Sequence, residues 1–247
     1  MVRRSYKNPP IMEAVIDLRF ASEVSGASLL NVLAEKVGDK YSGTRRNQDK
    51  VELEARVAAE SASASVRRLP HLTFLTSHDG LRLLGCGAST LSVHALAPYP
   101  GWEALVDQAT HAVGALPAEV TSRGLSTIAV RYIDRILLPS VDVPLEDYFT
   151  VLPARPQKLP SRLSAFFVTT RSVDEQDDTA ATLTVASGPA DPSGQPVVIY
   201  DLTVSRQGSP LCSLEGTEWM QLVEAFHERQ RDIFEQSITA KTRELFR

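Results

Sequence analysis

Residues 12–20 alternate without a break. Met12, Ala14, Ile16, Leu18 and Phe20 point one way, while Glu13, Asp17 and Arg19 point the other. A repeat of two with one mainly charged face is the pattern of a half-buried strand, not of a helix, whose faces repeat every 3.6 residues. Pro9 and Pro10 precede it and favour an extended approach. Residues 126–138, STIAVRYIDRILL, read as a second, longer strand. There Arg131 and Arg135 share one face with Ala129 and Ile133, and Tyr132 and Asp134 share the other with Val130 and Ile136.

Each of these strands opens a similar series. After the first, Leu29, Leu30, Leu33 and Val37 predict a helix over 26–40, and 42–50 read as a polar turn. Strands are predicted at 51–59, 71–77, 81–86 and 90–96. His78-Asp79-Gly80 marks a hairpin, and Gly85 and Gly87 mark a bulge or tight bend. In 90–96, Leu91, Val93 and Ala95 face inward and Thr90, Ser92 and His94 outward, and a helix over 101–116 follows. After the second strand come a turn at 139–144, a short helix at 145–152, and strands at 163–173, 180–187 and 196–206. An acidic loop at 174–178 and a turn at 189–194 separate those strands. A helix over 216–246 closes the series, with Thr217 as N-cap and Glu218 just inside.

The expectation is an α+β protein of two similar halves, 1–120 and 121–247, each a curved antiparallel sheet backed by helices and able to pack as one body. The halves share element order and no obvious residue identity. Duplication and two unrelated halves both fit, and duplication is preferred because this order is not expected twice by chance. The order is similar to the repeated unit of the TATA-binding-protein fold, in which helices cover the convex side of a curved sheet. Such similarity carries no function by itself.

The chain has 247 residues, of which 43% are hydrophobic and 23% charged, enough for a sizeable core without disulfide or metal. A net charge of −4 and a pI near 5.8 disfavour a general nucleic-acid or membrane-surface binder. Cys86 and Cys212 lie among small or apolar neighbours and are expected to be reduced, buried thiols. Glu13 and Asp17 interrupt any signal-peptide core, and no stretch is long and apolar enough to span a membrane, so a cytoplasmic location is expected. The sequence carries no phosphate loop, dinucleotide fingerprint, zinc-protease motif, paired cysteines or nucleophile elbow, and the five histidines lack metal-ligand spacing. No cofactor, metal or familiar catalytic set is expected.

Several residues remain as binding candidates. His94 falls near Tyr99 and Trp102, which would furnish a pocket with an imidazole, a phenol and an indole, or His94 is simply a satisfied structural residue. Arg131 and Arg135 lie about 13–14 Å apart along a strand, too far to grip one small anion. Each then pairs with its own carboxylate, for instance Glu13 or Asp17, or contacts a ligand or nucleic acid. Asp134, on the apolar side, needs a partner or a raised pKa. In the last helix Trp219, Leu222, Val223, Phe226, Ile233, Phe234 and Ile238 form one stripe, and His227 sits at its edge as a hydrogen-bonded histidine. Such a helix would be about 45 Å long. It either lies along both halves or projects towards a partner.

The opening NPPIMEAVIDLRF, the central RYIDRI and the closing FHERQRDIFEQSITAKTRELF together resemble a sporadically distributed bacterial family of uncharacterised proteins. Asp134 stands where many members carry Asn. The resemblance singles out Pro9, Pro10, Glu13, Arg131, Tyr132, Arg135, His227 and Glu228, without assigning roles. It implies, by analogy, mobile genes such as toxin–antitoxin or phage-defence modules. The leading expectation is a non-enzymatic interaction protein, a partner or neutraliser in a bacterial defence or toxin–antitoxin module, with a protein partner or a second copy of itself. The alternatives are a small-molecule-binding protein or enzyme with a pocket between sheet and helices, and a nucleic-acid-binding module using the concave sheet.

Overall fold

A computed structural model of the chain describes residues 4, 6–24, 26–48, 51–58, 61–68, 72–152, 158 and 165–247. For 26–28, 48, 51–58 and 61–68 it describes the backbone alone. Residues 59, 71, 163 and 164, expected at strand ends, lie outside the described residues.

The two alternating segments form β1 (Ile11–Phe20) and β8 (Leu125–Leu137), which pair antiparallel in the middle of a nine-stranded sheet. Outward from β1 lie β7 (Thr90–Leu96), β6 (Arg82–Cys86), β5 (Leu72–Thr76) and the short edge strand β2 (Arg46–Gln48). Outward from β8 lie β11 (Val197–Cys212), β10 (Ala180–Gly188) and the other edge, β9 (Phe167–Val173). A separate hairpin is made by β3 (Val51–Ala58) and β4 (Ser61–Arg68). On both sides of the centre the chain leaves the central strand, returns at a distance, and steps back inward by hairpins.

The register explains which face is covered. Ala14 lies opposite Tyr132, Ile16 opposite Val130, and Leu18 opposite Ile128, so the apolar sets of β1 and β8 coincide. A slip of one residue would turn both sets to the other face. Over them pack α1 (Gly26–Val37), α2 (Trp102–Gly114), the short α3 (Ala118–Thr121) and α4 (Glu218–Ser237), contributing Leu33, Leu105, Val120 and Phe226 among others to one core. A second core lies further along β8 and β11, where Ile136, Val198 and Tyr200 meet Phe149, Ile238 and Phe246. Ile233 of α4 packs against both.

Several expectations change. The polar segment 42–50 contains β2, which pairs with β5 through backbone bonds that need no apolar pattern at a sheet edge. β4, SASASVRR, has no counterpart among the expected strands, because alternating Ser and Ala lack the β-branched and aromatic signal of a strand. Gly85 makes no bulge; it pairs regularly with Phe74 and Ser92. A Cβ there would come within 2.7 Å of the Phe74 ring. Phe74 therefore reaches across Gly85, and Ser92, expected outward, is buried, as is Thr90. The short helix expected at 145–152 is a single 3-10 turn, Leu145–Asp147.

The closing helix is also shorter than its periodicity suggests. α4 stops at Ser237, giving a length of about 30 Å. Ile238 turns extended (φ −116°, ψ 153°), bridges to Phe149 and buries its side chain in the second core. Thr239 then caps a new turn, α5 (Ala240–Glu244), by accepting from the Thr242 N–H. Burial of Ile238 and this cap outweigh the continuation of one helix, so nothing projects. At the other end Thr217 holds the N-cap position without a side-chain capping bond.

Candidate functional site

The two cores do not meet everywhere. Between them, on the helix-covered face, lies a cleft of about 960 Å³. Its floor is the sheet, where Tyr132 and Asp134 of β8 face Leu202 and Tyr200 of β11 across the register. One wall is α4; another is the segment from Tyr99 to Glu103 that starts α2; the third is the N-terminal arm. The arm is held in place by the Asn8 N–H donating to the Phe246 carbonyl (3.0 Å) and by the Tyr6 ring packed edge-on against Phe246. Pro9 and Pro10 line the cleft, and the Pro10 carbonyl accepts from the Arg135 N–H at 2.8 Å.

Asp134 is the unusual group. It is 4% exposed, lines the cleft, and has no hydrogen-bond partner among the described residues. Removal from water, with the Asp201 carboxylate nearby as a smaller contribution, pushes its carboxyl up from 3.8 to about 8. It is therefore a neutral acid at pH 7. The Gln230 side chain, 2% exposed, donates through Nε2 to the carbonyls of Val130 and Leu202 (the latter at 2.9 Å), which leaves its Oε1 buried and unpartnered. The cleft thus holds a buried amide oxygen without a donor and a carboxyl without a hydrogen-bond partner among the described residues.

The aromatic wall is ordered by hydrogen bonds. The Tyr99 and Tyr132 hydroxyls lie 3.1 Å apart, and the Tyr132 hydroxyl is 3.0 Å from His227 Nδ1. The Trp102 indole stacks on the His227 ring at 3.9 Å and 9°, and donates from Nε1 to Glu224 at 2.7 Å. Burial pushes the Tyr99 phenol up to about 12 and the Tyr132 phenol well above its ordinary value, so both remain neutral donors. Tyr200 donates to Ser237 Oγ (3.0 Å), which passes its own hydrogen to the Ile233 carbonyl. At the rim Arg231 pairs with Glu228, and Arg4 and Arg243 pair with Glu235.

His94 is not part of this group. Strand alternation sends it to the opposite face from Val93 and Ala95, whereas Tyr99 and Trp102 follow the chain over to the helix side. On that opposite face His94 Nδ1 lies 2.6 Å from Glu13 Oε1, and Nε2 lies 2.9 Å from Ser92 Oγ. Arg131 stands on the same face and donates twice to Asp201, from Nε (2.8 Å) and from Nη2 (2.5 Å). This bidentate bond raises the guanidinium pKa further. Arg135 pairs with Asp191 at 3.6 Å. The direct ion pairs of the arginines are thus with carboxylates of β11 and the turn before it, while Glu13 and Asp17 add a weaker attraction on Arg131. Cys86 and Cys212 are buried free thiols, and burial pushes Cys86 up to about 12.

No family model matches this sequence, and no curated protein matches it. Of the residues carrying the resemblance, Pro9, Pro10, Tyr132, His227 and Glu228 converge on the cleft, while Glu13, Arg131 and Arg135 lie on the far side of the sheet. Gln230 was missed, although a signal was present. Trp219, Val223, Phe226, Gln230 and Ser237 are all buried at spacings of three, four or seven, so an amide occupies a core position of α4. Tyr6 and Tyr200 carry no comparable signal.

Proposed function

We propose that this chain is a small-molecule-binding protein whose ligand occupies the cleft between β8, β11, α4 and the N-terminal arm. The observation that carries this is Asp134, a buried carboxyl without a hydrogen-bond partner among the described residues that opens onto a cavity of about 960 Å³. An unmatched buried carboxyl costs several kcal/mol, and a ligand that engages it removes part of that cost. The cleft joins aromatic and apolar surface, from Tyr99, Trp102, Tyr132, Tyr200, Leu202 and Phe234, to a strongly charged rim, a mixture in which apolar area can supply affinity and the polar groups orientation. No reaction is assigned. Thermal-shift screening with metabolites tests the idea. A ligand present at one hundred times its Kd adds about 2.7 kcal/mol, or roughly 5–10 °C in Tm for a domain of this size. A broad library that leaves Tm unchanged sinks it.

A second reading, an interaction protein with a protein partner or a second copy, draws on β9. Among the described residues this edge strand pairs only with β10, and Phe167 (71% exposed) and Val173 (50% exposed) stand on it. Open edges of this kind accept another strand. A Phe167→Lys variant that leaves solution mass and pull-down profile unchanged counts against it. The defence-module setting implied by the resemblance belongs with this reading. We further propose that the halves arose by duplication, supported by the matching outward strand order around β1 and β8.

A further inference from the structure

We propose that the cleft takes an organic ammonium ion carrying N–H donors, with the Asp134 carboxylate as its counter-ion and Gln230 Oε1 as a second acceptor. The inference rests on the reading of the cleft as a ligand site and names the class of ligand.

Three observations converge. First, the unmatched buried atom is an acceptor. Both Gln230 amide hydrogens are directed at main-chain carbonyls, which leaves its oxygen without a donor among the described residues. Asp134, once ionised, is an acceptor only. Second, the walls present aromatic rings, among them Tyr99, Trp102, Tyr132, Tyr200 and Phe234, whose faces attract cations in a desolvated site. Third, the rim does not favour an anion. Arg4, Arg231 and Arg243 are each engaged by a carboxylate, and against the remaining cation, Lys7, stand Glu103 and Asp232.

The charged and titratable groups around Asp134 set the pH response. On the sheet these are Tyr132, Tyr200 and, from the other face, Asp201. From α4 come Glu224, His227, Glu228, Arg231, Asp232 and Glu235, from the start of α2 Tyr99 and Glu103, from α5 Arg243, and from the arm Arg4, Tyr6 and Lys7. In the empty cleft Asp134 holds a proton. An arriving ammonium supplies the missing positive charge, the carboxyl ionises, and its proton leaves to solvent. Binding therefore releases about one proton below pH 8, and affinity rises nearly tenfold per pH unit from about pH 5.5 to 7.5 before levelling.

The test uses 2-phenylethylammonium, the neutral 2-phenylethanol and the anion phenylacetate, titrated into the whole chain. Trp102 fluorescence reports occupancy of the cleft, with Trp102→Phe as the control. Calorimetry in buffers of different ionisation enthalpy counts protons. The ammonium is expected to bind at least tenfold more tightly than the alcohol, with phenylacetate weakest, and to release a proton at pH 6.5. Asp134→Asn, nearly isosteric, should erase both the preference and the proton release while keeping the wild-type circular dichroism. The wild-type proton count stands even if that variant folds poorly. Equal or tighter binding of the alcohol or phenylacetate overturns the ammonium assignment while the cleft still stands as a ligand site. Binding of the ammonium without proton release overturns it as well. If none of the three perturbs Trp102 and the metabolite screen is also blank, the ligand-site reading falls with it.

Discussion

Replacing Asp134 by Asn should change how stability depends on pH, and the change can be worked out. The folded-state pKa of Asp134, about 8, lies above its ordinary value of 3.8 because burial disfavours the charge. The native protein therefore holds this proton more tightly than the unfolded chain does. The resulting stabilisation is complete below pH 3.8, declines as pH rises, and is gone above about pH 8. At 1.36 kcal/mol per pH unit the whole span amounts to on the order of 5 kcal/mol. Between pH 5 and pH 7 the wild type should lose nearly 3 kcal/mol to this group, whereas the amide of the variant does not titrate. Urea unfolding at pH 5, 6, 7 and 8, followed by fluorescence, measures the difference. The variant should gain on the wild type by about 1.4 kcal/mol per unit from pH 5 to 7 and by less as pH approaches 8, with unchanged m-values. Parallel curves for the two proteins would refute the reasoning. They would mean that Asp134 is ionised in the empty protein and has a partner there.

Three further outcomes follow from particular contacts. Arg131→Met and Asp201→Asn, combined in a double-mutant cycle by urea unfolding, should show a coupling of about 1 kcal/mol; the pair is bidentate but half-exposed. Ser237→Ala removes the acceptor for the buried Tyr200 hydroxyl and should lower stability by about 1–2 kcal/mol, while Tyr200→Phe in that background recovers part of the loss. Gly85→Ala places a methyl against the Phe74 ring and Ser92 and should cost about 1–3 kcal/mol, visible as a drop in Tm of several degrees; a neutral result would mean that Phe74 can swing away freely.

Much of the site was legible only in pieces. The two faces of β8 follow from alternation alone, so Asp134 on the apolar side and the arginines on the other could be assigned from residues 126–138. That Asp134 needs a partner or a raised pKa also follows from its place among Val130, Tyr132 and Ile136. His94 shows the limit. Its neighbours in sequence, Tyr99 and Trp102, lie on the opposite face of the sheet, because the chain crosses over between β7 and α2 and proximity along the chain does not survive that crossing. The end of α4 shows another. A stripe at helical spacing continues through Ile238, yet burial against Phe149 and the Thr239 cap end the helix, and neither contact has a local signal.

By itself the sequence determined the class of the protein and the central strand pattern, since strand alternation and helical stripes are properties of short segments. It determined which face of β1 and of β8 would be buried. Tertiary structure alone decided that β1 and β8 lie side by side, that the arginines pair with Asp201 and Asp191, and that two cores leave a cleft between them with Asp134 and Gln230 on its surface. These are contacts between residues far apart along the chain. Their energies depend on which surfaces meet and what is excluded from water, and no segment read in isolation contains that information.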